Sequence, residues 1–172
     1  MATNPVSMAD QRRRRSRLLA LEVIKVLQCM GGAAHADAIV DAVSSRRRQQ
    51  NRDVPERMGK TVRDVLAMFE AGGGEVEAVD HPLFFRPFGP DSHRWSLRQD
   101  AIGPDLSLNV IEEVEAILSE GSVSPRFPEG IEGARRRMLA ILGDGSRCAP
   151  VDLMVLDELE RRGNMARQHV RH

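Results

Sequence analysis

The run Leu18 to Met30, LLALEVIKVLQCM, is apolar on most sides of a helical wheel, through Leu18, Leu21, Val23, Ile24, Val26 and Leu27. A surface helix needs one apolar stripe, whereas a helix apolar nearly all round has to be covered nearly all round. The rest of the chain must therefore supply elements that enclose this one. Gly31-Gly32 ends the run. With 172 residues, 41% of them hydrophobic and 29% charged, the chain can build a globular core. Its length fits one domain with an appendage, or two small ones. Cys29 lies within the apolar run, which predicts a buried free thiol.

Before this helix, residues 1–11 lack periodicity and read as a tail. The following RRRRSR, Arg12 to Arg17, is either a flexible arm or the first turn of the helix. Positive charge is unfavourable at a helix N-terminus, so residues 1–17 read as a basic flexible arm. After the helix, Ala33-Ala34-His35 is a short linker or a minimal strand, with His35 serving the turn. A second helix is predicted from about Ala36 to Val43, burying Ile39, Val40 and Val43 and exposing Asp37 and Asp41. Ser44 to Asp53, SSRRRQQNRD, is polar and basic without apolar periodicity, and reads as a loop or a frayed helix end.

The most sharply divided stretch is Val54 to Ala71, VPERMGKTVRDVLAMFEA. Met58, Val62, Val65, Leu66 and Phe69 recur at the spacing of one buried helical face. Arg57, Lys60, Asp64 and Ala67 point the other way, with Thr61, Arg63 and Met68 on the flanks. Pro55 suits a first helical turn, and Gly72 to Gly74 stop the helix. The outer face is basic and flat enough to enter a DNA major groove. It also fits an ordinary solvated helix, so the neighbouring elements decide.

Those neighbours form a hairpin pattern. Leu83 to Phe88, LFFRPF, is β-prone and holds three of the five Phe. Gly89-Pro90-Asp91-Ser92 is turn chemistry. His93 to Arg98 alternates polar and apolar, with Trp95 and Leu97 inward. A lone hairpin is marginal and needs a helical layer behind it, so Trp95 is read as the residue that pins the hairpin to the core. Three helices followed by a hairpin is the order of a winged helix-turn-helix. The expected fold class is thus mainly α, an α+β winged helix with a two-stranded wing over 83–98, followed by a small all-helical C-terminal segment. Residues 55–71 would be its recognition helix.

The run Leu19 to Val43, LALEVIKVLQCMGGAAHADAIVDAV, resembles the opening of HARE-type winged helices and of the N-terminal domain of Mrr-type restriction proteins. These share a first helix, a Gly-x-Ala-His-like turn and an Ile-x-x-x-Val second helix. Arg94-Trp95-Ser96-Leu97 is similar to the end of their wing. The resemblance covers about residues 18–99 and implies a DNA-binding or transcription-associated module. The chain departs from the family in its Arg- and Gln-rich loop at Arg46 to Arg52. It also lacks a convincing Asp…Glu-x-Lys cluster in residues 100–172, which puts Mrr-type restriction activity out of reach.

Residues 100–106 read as a linker broken by Gly103-Pro104. Residues 107–163 hold three short amphipathic helices, about 108–120, 129–142 and 150–162. The first is acidic through Glu112, Glu113 and Glu115, and the second carries Arg135 to Arg137. So small a piece gains from packing on the rest of the chain, a second protomer or a partner, and is assigned to oligomerisation or docking. Residues 164–172 read as a loose tail.

Charge and residue types narrow the function. The 25 basic and 25 acidic residues balance, but residues 1–100 hold 16 of the former and 13 of the latter. Arginine clusters of this kind suit phosphate contact. The expected DNA-facing residues are Arg57, Lys60, Thr61, Arg63 and Asp64 on the recognition helix. Arg86, His93 and Arg94 join them from the wing, Arg46, Arg47 and Arg48 from the loop, and Arg12, Arg13, Arg14 and Arg15 from the arm. The expected partner is double-stranded DNA, with a homo-oligomer or protein partner through 107–163 and no membrane. The leading expectation is a bacterial or phage transcriptional regulator in a reducing cytoplasm. The alternative is a winged-helix interaction module acting as a scaffold in a transcription or virion assembly. Neither cysteine has a partner at metal-ligand spacing, and no H-x-x-x-H, P-loop, Gly-x-Ser-x-Gly or G-x-G-x-x-G motif occurs, so neither enzyme, metal nor cofactor is expected. Aromatic content of 3%, without tyrosine, argues against base stacking on single strands.

Overall fold

The computed structural model of the chain describes residues 8–70 and 82–101, with 132–133, 135–136, 139–140 and Met154; the side chains of Asp10, Arg13 and Arg14 lie outside the description. The elements are α1 (Met8–Cys29), β1 (Ala33–His35), α2 (Ala36–Gln49), α3 (Met58–Met68), β2 (Phe84–Phe85) and β3 (Arg94–Leu97). The described part is mainly helical, with three helices and a small antiparallel sheet of order β1-β3-β2.

Helix α1 is the centre of this arrangement. Every residue from Leu19 to Leu27 is buried, as its all-round apolar character requires. It touches α2, α3, β1 and β3. Its C-terminus turns through Gly31 and Gly32, at φ 79° and 91°, a region that glycine enters without a Cβ penalty. The Gly32 amide donates to the Leu27 carbonyl at 2.7 Å, and the Gly32 carbonyl accepts from the Leu97 amide at 2.8 Å. One turn thus closes the helix and fastens it to β3.

The burial of α1 includes two charged side chains, Glu22 and Lys25, each 1% exposed. The Glu22 carboxylate accepts from Arg47 Nε at 2.8 Å and Nη2 at 2.9 Å, and from Arg52 Nη2 at 2.9 Å. Lys25 is also engaged in a polar interaction. Burying an ion without such partners would be prohibitive.

The sheet corrects the expectation of a two-stranded wing. Ala33, Ala34 and His35 pair with Ser96, Trp95 and Arg94, and Phe84 and Phe85 pair with Leu97 and Ser96. The third strand has a physical reason: β3 would otherwise keep an open edge, and a two-residue partner alone is too short to hold it. Trp95 is buried opposite the small Ala34, in the same core as Leu83 and Phe84. The hairpin is also stitched to the end of α3, since the Leu83 and Phe84 amides both donate to the Phe69 carbonyl, at 2.8 and 3.1 Å.

Several boundaries differ from expectation. Helix α1 begins at Met8, so Arg12 to Arg17 belong to it and not to a flexible arm. Helix α2 runs on to Gln49 and takes in Arg46 to Arg48, where last-turn cations meet the negative end of the helix dipole. Asn51 then adopts φ 53°, and the Arg52 amide closes on the Arg47 carbonyl at 2.8 Å, a left-handed cap that asparagine tolerates. Helix α3 is shorter than 55–71, with Pro55 in the preceding turn accepting from the Met58 amide at 2.9 Å. Cys29 is exposed, because the buried run stops at Leu27.

Of the C-terminal expectations, the helices of 107–163 lie outside the described residues except for the few positions named above, as do the tail 164–172 and the Gly72 to Asp80 stretch. Met154 is 1% exposed and belongs to the same hydrophobic core as α1. Among the described residues, no helix is long and apolar enough to cross a membrane.

The Glu22 cluster yields a stability test. Glu22→Leu leaves Arg47 and Arg52 facing an apolar site and should cost roughly 3–5 kcal/mol. Arg48→Ala, exposed on the same helix, should stay within about 0.5 kcal/mol of the parent. Urea unfolding of the two variants separates these outcomes.

Candidate nucleic-acid interface

Helix α3 presents the divided surface that its sequence encodes. Met58, Val62, Val65 and Leu66 are buried, with Phe69 just beyond the helix, while Arg57, Lys60, Thr61, Arg63, Asp64 and Ala67 are exposed. Arg57 is the N-cap residue, and its carbonyl accepts from both the amide and the hydroxyl of Thr61 at 2.9 Å. Gly59 packs against α2, where an added Cβ would come within 3.1 Å of Arg63 and 3.7 Å of Val40. That close approach sets Arg63 beside the first turn of α2, where its guanidinium donates to the Asp37 carboxylate.

A second group of polar residues adjoins that contact. His35 caps α2, its Nδ1 accepting from the Asp37 amide at 3.2 Å. The His35 and His93 rings lie 5.7 Å apart, and the Ala36 amide donates to the His93 carbonyl at 2.8 Å. Arg94 is the register partner of His35 and is exposed. Arg63, Asp37, His35, His93 and Arg94 therefore join the face of α3 to the start of β3. Asp37 and His35 are missing from the expected site residues. Their spacing to Arg63 and His93 is long-range, and no local pattern encodes it.

The expected cations divide by what already holds them. Lys60 Nζ lies 2.6 Å from Asp64, and these side chains are 72% and 57% exposed. Such exposed pairs contribute about 0–1 kcal/mol, so Lys60 and Arg63 can exchange their carboxylates for another anion at little cost. Arg47 and Arg86 are different. Arg47 is committed to buried Glu22, which corrects its expected role in phosphate contact. Arg86 grips Glu70 through Nε at 2.7 Å and Nη2 at 2.9 Å, lies 5.1 Å from the Trp95 ring and donates to the Pro90 carbonyl. It is a structural clamp for the hairpin, contrary to the expectation of a wing cation reaching outward. The signal for both corrections was a carboxylate next to apolar residues, Glu22 within α1 and Glu70 just after α3.

Among the described residues, Arg12, Arg15, Arg48, Arg57 and Arg94 are exposed and have no carboxylate partner. Arg46 is half-buried and engaged, and Arg13 and Arg14 lie in α1 between Arg12 and Arg15. Beyond β3, Arg98 donates to Asp100 at 2.9 and 2.7 Å and holds that carboxyl below its usual value. The stabilising effect of this contact is present above the ordinary carboxylate range and is lost as pH falls through the lowered value. Among the described residues no group of three His, Cys, Asp or Glu could hold a metal ion.

No family model, no curated protein and no solved structure matches the chain.

Arg86 is open to direct test, because Trp95 is the sole tryptophan and reports on the clamp. Arg86→Ala should shift Trp95 emission to the red and cost about 1.5–3 kcal/mol, the range for hydrogen bonds to charged groups. Arg94→Ala, on the same hairpin, should leave both the spectrum and the melting temperature as they were.

Proposed function

We propose that residues 18–99 form a winged helix-turn-helix that binds double-stranded DNA, with α3 as the recognition helix and the β2–β3 hairpin as the wing. The carrying observation is the face of α3, where Arg57, Lys60, Thr61 and Arg63 are exposed on a helix whose opposite side is locked in the core. The likeness of Leu19 to Val43 and of Arg94 to Leu97 to HARE-type and Mrr N-terminal winged helices supports the same reading. In it, Lys60 and Arg63 exchange their weak surface pairs for base edges or phosphates. His93 and Arg94 meet the backbone beside the wing, and Arg12, Arg15 and Arg48 add attraction independent of sequence. A regulator of bacterial or phage type, assembled as an oligomer in the cytoplasm, is the role this reading favours.

One observation favours a second reading. Lys60 and Arg63 have carboxylates in place, and Asp64 stands in the middle of the outer face. Alternating charge of both signs suits a protein partner, and the same fold would then be a scaffold in a transcription or virion assembly.

Fluorescence anisotropy with a mixed-sequence duplex separates the two readings. Binding at low salt should weaken steeply as salt rises, with a linear fall of log K against log salt. The double variant Lys60→Ala, Arg63→Ala should bind at least about tenfold more weakly. Its melting temperature should hold, since surface pairs contribute little. Absence of duplex binding even at low salt overturns the DNA reading in favour of the scaffold.

A further inference from the structure

Phe88 is 75% exposed, far more than the other described phenylalanines, and sits between Pro87 and Gly89 at the tip of the hairpin. An exposed aromatic at a loop tip is common where the loop is slack. This loop is closed. Arg86 donates to the Pro90 carbonyl across Phe88, while its other nitrogens hold Glu70 and its guanidinium carbon lies over the Trp95 ring. The Gly89 amide donates to the Arg86 carbonyl at 3.3 Å, and the Ser92 amide to the Gly89 carbonyl at 3.1 Å. Gly89, at φ 95°, makes the reversal that a side-chain-bearing residue would resist. The clamp fixes the backbone on both sides of Phe88 and leaves its ring in solvent.

We propose that Phe88 is an apolar wedge that inserts at a base step of the duplex contacted by α3 and bends it. This rests on the DNA reading and adds to it a second, non-electrostatic contact. Polar contacts lead from α3 to the foot of the hairpin: Arg63 touches Asp37, His35 touches Asp37 and neighbours His93, and Arg94 follows. Of the hairpin's charges, Arg86 is matched by Glu70 and Arg98 by Asp100. Arg94 and His93 remain, with Asp91, at the base of the tip. Phenylalanine and proline are among the apolar side chains that wedge into base steps, and Pro87, Phe88 and Pro90 are all exposed here. A wedge fixed in advance loses little freedom on binding, which is what the Arg86 clamp provides.

The test uses the full chain, a duplex with a central TA step labelled at both ends for energy transfer, and 2-aminopurine at that step. The parent should bring the labelled ends together and raise 2-aminopurine emission. Phe88→Ala should lose both signals and bind roughly tenfold more weakly. It should keep the parent's salt slope and melting temperature, because no charge or buried contact is removed. Arg94→Ala should do the reverse, reducing the salt slope and keeping the bend. A parent that binds without bending, or a Phe88→Ala variant that bends and unstacks as the parent does, overturns the wedge and leaves the DNA reading standing. A parent that fails to bind any duplex at low salt overturns both.

Discussion

A single carboxylate, Glu22, sits where α1 is most deeply enclosed and is gripped by two arginines that lie 25 and 30 positions further along the chain. Its environment leaves little choice of partner. An ionised carboxylate with 1% exposure must find donors, and Arg47 and Arg52 together supply three N–H groups to its two oxygens. Such a cluster adds little net stability over an apolar replacement of the same shape. Its effect is on arrangement. It sets the end of α2 against one turn of α1 and pulls in the segment between Asn51 and Asp53 that leads to α3.

The hairpin repeats the device on a smaller scale. Glu70 follows the last turn of α3, and Arg86 reaches it from beyond β2 while lying over Trp95. The Phe69 carbonyl takes two amides from the strand, and the Gly31-Gly32 turn delivers a carbonyl to Leu97. A sheet whose strands have two to four residues would not stand by itself. Here it packs on α1 and is tied through the Phe69 carbonyl to the end of α3. The candidate surface is therefore assembled from parts fixed by part-buried pairs, while its own paired charges are held by exposed and weak ones.

That contrast explains what could be read from the sequence and what could not. Periodicity encodes burial, so the enclosure of Leu19 to Leu27 and the two faces of α3, Met58 to Phe69 inward and Arg57 to Ala67 outward, were visible. Trp95 as the anchor of the hairpin was visible too, since an aromatic in an alternating run has one inward direction. Strand pairing was not: Ala33-Ala34-His35 has no pattern of its own and becomes β1 only because β3 offers an edge. The helical state of Arg12 to Arg17 was hidden because a local charge penalty of a few tenths of a kcal/mol, up to about 1, is outweighed by continuity with a buried helix. The arginines looked interchangeable as a composition. Which of them are committed, Arg47 and Arg86, depends on carboxylates 25 and 16 residues away.

The continuity of α1 bears on how an encounter with a polyanion would proceed in time. Twenty-two helical residues span about 33 Å at 1.5 Å per residue, and the half before Leu19 lies outside the enclosed run. Arginines on a slack tail sample a wide volume and raise the rate of first contact. On a helix, Arg12 and Arg15 share one face at fixed spacing and sweep almost none. What such a rod gives up in capture radius it recovers in residence, because little freedom is lost when it lies along a row of phosphates. Under the proposed DNA reading, the first arginine cluster would lengthen the lifetime of a complex rather than hasten its formation.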